Sequence, residues 1–156
     1  MNFNPRLPLG CKIIPFRKEH ALLMKHNEFQ RVYFSHIPDY LERLEHMSSI
    51  GMAFTILNSG VTMLCAGLIP LFSNTSEAWM LKDERVERYP IALSKGALVF
   101  FEEVGPALDL TRVQLLVNTQ NIAAVRWAKW LKFKNEGRLR AYGPDDTDYY
   151  MFARLY

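Results

Sequence analysis

The chain has 156 residues, of which 49% are hydrophobic and 22% charged, with a formal net charge of +3. That length suits one domain with its own core, and the composition is ordinary for a soluble globular protein. The mild positive balance tolerates an anionic cofactor but is too small to predict nucleic acid as a partner. No apolar run reaches membrane-spanning length, and residues 1–10 lack the basic start and long apolar stretch of a signal peptide. The expectation is therefore a cytoplasmic protein that does not engage a membrane.

Residues 11–16 form a short apolar run containing Pro15, an edge-strand pattern. Residues 17–29 place Ala21, Leu22, Leu23 and Met24 in a helical setting. Residues 37–47 make a clearer helix, with Pro38 in its first turn, Ile37, Tyr40, Leu41, Leu44 and Met47 on one stripe, and Gly51 ending it. Residues 52–57 and 61–71 are β-rich runs joined by Asn58-Ser59-Gly60, a hairpin signal. After a polar break at residues 73–76, residues 77–81 predict the next strand. Residues 90–104 carry Ile91, Leu93, Ala97, Leu98 and Phe101 on one helical side, with Gly105-Pro106 as the stop.

Residues 113–117 read as a buried strand. Asn118-Thr119-Gln120-Asn121 then supplies helix-capping residues, and residues 122–131 carry alanines and two tryptophans, Trp127 and Trp130, at helical spacing. Phe133 closes that helix, Glu136-Gly137 turns, residues 138–142 return as a strand, and residues 149–155 complete the count. Alternation of this kind predicts an α/β (α+β) domain over residues 11–156, with a mixed, mostly antiparallel sheet of about seven strands and helices on both faces. Residues 1–10 are an N-terminal extension.

Cys11 and Cys65 each sit in an apolar segment, which predicts buried free thiols in a reducing compartment. His20, His26, His36 and His46 show no paired ligand spacing. No metal site is expected, and solvated helix faces are the better place for them.

The segment from Arg112 to Tyr142 resembles the C-terminal half of the Gcn5-related N-acetyltransferase (GNAT) superfamily. There a strand leads to Asn-x-x-Ala opening a helix, then Leu-Gly-Phe, then Glu-Gly and an Arg-bearing strand. Asn121, Ala124, Leu131, Phe133, Glu136 and Gly137 fall on matching positions, while Lys132 stands where the family usually has glycine. The element order matches over nearly the whole chain. The ending Glu136-Gly137-Arg138-Leu139-Arg140 looks most like the branch that acetylates ribosomal-protein N-termini. Residues 77–81 with 86–90 look like a divergent group of acetyltransferase-like phage proteins that includes small internal virion proteins.

The resemblance implies acetyl transfer from acetyl-CoA to an amine, on a small molecule or a protein, with the sheet splaying between residues 77–81 and 113–117 to admit the pantetheine arm. It makes Glu77 the general base, set against a solvent-facing strand-end glutamate. It places the backbone of Met80 and Leu81 at the thioester and Asn121 at the pantetheine. Two departures stand out. The family's glycine loop for the diphosphate is replaced by Lys82-Asp83-Glu84-Arg85-Val86-Glu87-Arg88-Tyr89-Pro90, without glycine and with balanced charges. Arg85 and Arg88 would have to grip the phosphates by their side chains, the alternative being a solvated, charge-balanced loop.

The second departure concerns the general acid: the tyrosine position is Ala128, and the serine position of the ribosomal branch is Ala124. Losing such an acid costs roughly 10²- to 10⁴-fold in rate. Tyr149, Tyr150 and Tyr156 either line an acceptor site or alternate across the last strand. Three functions stay open: an acetyl-CoA-dependent N-acetyltransferase, a catalytically silent phage protein packed with other virion proteins, and a binder of a host factor.

Overall fold

A computed structural model describes residues 9–156; the expected N-terminal extension lies almost wholly outside the described residues. In chain order the elements are β1 (Cys11–Pro15), α1 (Lys18–Leu22), α2 (Glu28–His36), α3 (Tyr40–Ile50), β2 (Met52–Asn58), β3 (Val61–Phe72) and β4 (Thr75–Lys82). A 3₁₀ turn (Glu84–Arg88) then leads to α4 (Pro90–Ala107), β5 (Arg112–Asn118), α5 (Ile122–Trp130), β6 (Lys134–Leu139) and β7 (Tyr149–Leu155). The strands form one mixed seven-stranded sheet in the order β1-β2-β3-β4-β5-β7-β6, as expected. Every pairing is antiparallel except β4 with β5.

Strand alternation sends successive side chains to opposite faces, and each face carries its own core. On the front face Cys65 and Leu81 join Ala21 of α1, Met24 of the turn after it, and Leu41 and Leu44 of α3. On the back face Leu68, Val113, Val117 and Phe152 pack against Phe100, Phe101 and Val104 of α4 and Ala128 of α5. The β2–β3 hairpin closes through Ser59 (φ 49°) and Gly60 (φ 82°), the left-handed pair that matches strand twist. No helix among the described residues is long and apolar enough to cross a membrane.

Several boundaries differ from expectation. The helix expected over residues 17–29 stops at Leu22, and a separate helix, α2, begins at Glu28 where the Asn27 side chain accepts the Gln30 N–H at 3.0 Å. Leu22 and Leu23 are correspondingly exposed. Helix α3 starts at Tyr40 and runs to Ile50, burying Leu41, Leu44 and Ser48 while Met47 is exposed. Gly105 and Pro106 do not stop α4, which continues to Ala107. A proline in the last turn forfeits only one backbone bond, and Gly105 is needed where the Tyr156 ring lies against the helix.

Glu136-Gly137 is not a turn. Asn135 pairs with Phe152 and Gly137 with Met151, so Glu136 is the extra residue of a bulge inside β6, which therefore spans 134–139 rather than 138–142. Cys65 is buried and Cys11 only partly so, both as free thiols. His46 and His36 are solvent-facing as expected. His26 is half-buried, with Nε2 2.8 Å from the Ala21 carbonyl oxygen, and His20 Nδ1 lies 2.9 Å from Thr55 Oγ1.

Candidate functional site: a cleft in a split sheet

Strands β4 and β5 register over only three positions, Thr75 with Arg112, Ser76 with Val113 and Glu77 with Gln114. The last pair is tied by a side-chain bond, Gln114 Nε2 donating to Glu77 Oε2 at 3.0 Å. Beyond it β4 stays with β3 and β5 stays with β7 as far as Asn118, so the sheet opens in its middle. Past the split, alternate N–H and C=O groups of each strand face the gap with no cross-strand pairing among the described residues. The gap is the centre of a cleft of about 470 Å³, mostly apolar, which includes Met80 and Leu81 on one wall and Leu115 and Leu116 on the other.

Toward the back face the cleft runs between α4 and α5. Trp127 Nε1 donates to Ser94 Oγ at 3.0 Å, tying the two helices together. Ala124 and Ala128 both line this half, so the two positions without a hydroxyl do face the cleft. Asn121 lines it too, and its Oδ1 accepts the Ala124 N–H at 3.1 Å as the N-cap of α5. Trp130 is half exposed and belongs to the surface.

At the end of β4 the charged segment is built into the fold rather than solvated. Asp83 is fully buried, and its carboxylate accepts from Lys25 N at 2.8 Å, Arg85 N at 2.9 Å, Arg85 Nε at 2.6 Å and Arg85 Nη2 at 2.7 Å. The Arg85 guanidinium, helped by the two backbone donors, holds the Asp83 carboxyl well below the usual carboxylate range despite burial. The fork of Arg85 is thereby turned inward, whereas Arg88 is exposed and has no ion-pair partner among the described residues. Lys82 pairs with Glu87 at 3.1 Å. Helix α4 begins at Pro90, and its first returning backbone bond is Leu93 N to Tyr89 O at 3.0 Å, which leaves the N–H groups of Ile91 and Ala92 open.

On the front face Glu77 shares the cleft with a group of tyrosines. Tyr33 of α2 donates its hydroxyl to the Tyr149 hydroxyl at 2.9 Å, the Tyr33 and Tyr40 rings stand 5.1 Å apart, and those of Tyr142 and Tyr149 stand 5.6 Å apart. Burial, followed by the Tyr149 hydrogen bond, pushes the Tyr33 phenol far above its ordinary range, and burial carries Tyr40 up to about 12. Tyr33 and Tyr40 are therefore neutral near neutral pH, and among the described residues Glu77 is the one carboxylate on the lining. Tyr150 packs against the back core, and Tyr156 donates its hydroxyl to the Phe101 carbonyl at 2.6 Å, so of the three C-terminal tyrosines Tyr149 alone faces the cleft. Among the described residues no group of histidine, cysteine, aspartate and glutamate is placed to hold a metal ion.

Two parts of this site escape sequence reasoning. The partners Tyr33 and Tyr149 are 116 residues apart, and Lys25 and Asp83 are 58 apart. No periodicity couples positions at such separations. The balanced charges of residues 82–90 were a partial signal, since a paired set of charges is what a buried carboxylate requires.

No protein-family model matches the sequence, and no curated protein does. Solved structures do match. The ribosomal-protein-S5-alanine acetyltransferase of Vibrio fischeri superposes with a TM-score of 0.66 at 11% identity, over 94% of this chain and 93% of that one. The ribosomal L7/L12 alpha-N-protein acetyltransferase RimL, in complex with coenzyme A, gives 0.70 at 12% identity, over 97% of each chain. Ard1 from Thermoplasma volcanium gives 0.70 at 18% identity, over 94% of this chain and 98% of that one. With the split between β4 and β5, these likenesses establish that the chain has the fold of the Gcn5-related N-acetyltransferases.

Proposed function

We propose that the protein is an N-acetyltransferase that takes its acetyl group from acetyl-CoA and passes it to an amine in the cleft between β4 and β5. The split sheet carries this reading. An interior gap lined by unpaired backbone groups is costly unless something occupies it, and a pantetheine arm, with its amides in line, is complementary to such an edge. Acetyl-CoA would supply the activated acetyl group. Asn121 and the open edges beyond Ala78 and Leu115 would hold the arm, with the backbone of Met80 and Leu81 facing the thioester. Glu77, at the fork of the sheet, would receive the proton that the acceptor nitrogen loses, directly or through water. With Ala124 and Ala128 in place of hydroxyl-bearing residues, no side chain there protonates the departing thiolate. A thiol of ordinary pKa about 8.5 is a tolerable leaving group without that help.

The diphosphate end is where the chain departs from its expected chemistry. Arg85 is committed to Asp83, so Arg88 and the N–H groups of Ile91 and Ala92 are the donors on offer. That is a sparse anion site. We therefore expect acetyl-CoA to bind with a dissociation constant in the high-micromolar range, about −5 to −6 kcal/mol. The same observation favours a second reading, a catalytically silent protein, phage-encoded, that keeps the fold to pack with virion proteins or to bind a host factor.

Calorimetry with acetyl-CoA separates the two. Arg88→Ala should weaken binding about tenfold or more, the worth of one charge-assisted hydrogen bond. Arg85→Ala should lower the melting temperature and affect affinity only through stability. No heat of binding at millimolar acetyl-CoA ends the case for an enzyme.

A further inference from the structure

We propose that Gln114, Arg112 and Glu136 are positioning residues for Glu77: a relay of hydrogen bonds that starts on the edge strand β6 and fixes the carboxylate at the fork of the sheet, with Oε2 occupied and Oε1 free. What Glu77 would do with a proton rests on the acetyltransferase reading, while the relay itself does not.

The bonds run in one line along the front face. Gln114 Nε2 donates to Glu77 Oε2 at 3.0 Å, and Gln114 Oε1 accepts from Arg112 Nε at 3.2 Å. Arg112 Nη1 and Nη2 then donate to Glu136 Oε1 at 3.1 Å and Oε2 at 2.7 Å. Arg112 and Gln114 are two apart on β5 and share a face, and β7 lies between them and Glu136. Ala153 of β7, the register partner of both Gln114 and Lys134, presents only a methyl group where the arginine crosses.

The chemistry of the relay runs in one direction. An arginine guanidinium keeps its protons at every accessible pH, so only an oxygen can meet its Nε–H. That settles the orientation of the Gln114 amide, which turns its nitrogen to Glu77. Donation from that nitrogen favours the charged carboxylate over the neutral acid, and the amide oxygen is already taken by Arg112. Oε1 of Glu77 has no hydrogen bond among the described residues and is the oxygen left to accept a proton. Tyr142, on the approach to β7, also feels the charge. Burial first and Glu77 second push its phenol up, so it is neutral near neutral pH.

Stability does not account for the outer end of the relay. The side chains of Arg112 and Glu136 are 26% and 40% exposed, and ion pairs in such positions contribute little to folding. Yet Glu136 is the extra residue of the β6 bulge, which interrupts regular pairing with β7. Bulges re-aim a side chain, and this one delivers a carboxylate to the Arg112 fork.

The test follows the Glu77 carboxyl through pH by carbon-13 NMR, in the full chain labelled at the glutamate side-chain carboxyls, with Glu77→Gln identifying the resonance. Four proteins are compared: native, Arg112→Met, Gln114→Met and the double variant. Each single substitution should move the Glu77 midpoint to higher pH by about half a pH unit or more, since the donor to Oε2 is lost or free to turn over. In the Gln114→Met background, Arg112→Met should add little, because the relay is already cut. Residues that only supported the fold would lower the melting temperature and leave that midpoint where it is.

An unmoved midpoint in both single variants overturns the relay. So does an equal shift from Arg112→Met with and without Gln114, the mark of bare charge acting through space. Both positions are partly exposed, so the variants should fold. Should Arg112→Met fail to do so, Arg112→Thr, which suits a strand, takes its place with the same expectation. Calorimetry with acetyl-CoA on the native chain keeps the two readings apart. No binding removes acetyl transfer and leaves the relay standing; binding beside an unmoved Glu77 midpoint removes the relay and leaves acetyl transfer.

Discussion

The carboxylate of Asp83 grips the guanidinium of Arg85 with both oxygens, Oδ1 2.6 Å from Nε and Oδ2 2.7 Å from Nη2. The same Oδ2 accepts the Lys25 N–H at 2.8 Å, and Glu84 N returns a bond to the Lys25 carbonyl at 3.1 Å. The end of β4 is thus fastened to the loop between α1 and α2, which frames the front half of the cleft. Arg85, which the family resemblance would assign to cofactor binding, serves here with Asp83 to hold two walls of the site in place.

That lock predicts an acid limit. Asp83 has its carboxyl depressed in the folded state by Arg85 first, with the backbone donors adding to it. Its stabilising contribution is therefore fully present above the unfolded aspartate value of about 3.9, and is lost as pH falls below that value toward the lower folded one. Asp83→Asn should cost about 1.5 kcal/mol at neutral pH, the low end for charged hydrogen bonds because the Arg85 side chain is 35% exposed. Urea melts at pH 7 and pH 3 check this: the gap between native and variant should narrow at the lower pH.

Asn121 offers a cap and a free amide in one side chain. Asn121→Ala should lose about 0.5–2 kcal/mol of stability by leaving the Ala124 N–H uncapped. Asn121→Asp keeps the capping oxygen and discards the Nδ2 donor, so stability should hold. If Nδ2 contacts the cofactor, acetyl-CoA affinity should fall in the aspartate variant all the same. Thermal melts and calorimetry on both variants distinguish the roles.

Lys132 sits at φ 68°, in the left-handed region, where it terminates α5. Lys132 N bonds Lys129 O at 3.0 Å and Phe133 N bonds Ala128 O at 3.1 Å, the paired bonds of a Schellman ending. Glycine adopts this geometry without strain, so Lys132→Gly should stabilise the protein by about 1 kcal/mol. The solvent-exposed pair with Glu102, given up in the variant, offsets only part of that. Equilibrium denaturation should show a higher midpoint with an unchanged slope.

Gly105 predicts the opposite sign from helix propensity. Alanine in a helix interior is ordinarily favoured over glycine by about 1 kcal/mol. A Cβ at Gly105, however, would lie 2.2 Å from Cδ1 of Tyr156. The ring would have to swing away and release its hydroxyl from the Phe101 carbonyl. Gly105→Ala should therefore destabilise by roughly 1–3 kcal/mol, and thermal melts of the single variant beside Gly105→Ala/Tyr156→Ala should show the penalty relieved in the pair.

Local chemistry was enough to read the strands and most of the helices, because each rests on a short-range pattern. The apolar run of β5, the Asn121 cap, the Ser59-Gly60 turn and the alternation of β7 are all decided within a few residues. Element order then restricts the topology, and the seven-stranded sheet follows. Where the sequence misleads, it does so at positions governed by distant contacts. Gly105 and Pro106 look like a helix stop until Tyr156 packs on the helix, and Glu136-Gly137 looks like a turn until β7 supplies the register that makes it a bulge. The site is more tertiary still. Whether Arg85 faces a phosphate or a carboxylate depends on Asp83 being carried into the interior beside Lys25, and desolvation is what makes that pairing obligatory. Tyr33, Tyr40, Tyr142 and Tyr149 come together with Glu77 on one lining only because the split sheet brings α2, α3, β4 and the approach to β7 to one cleft.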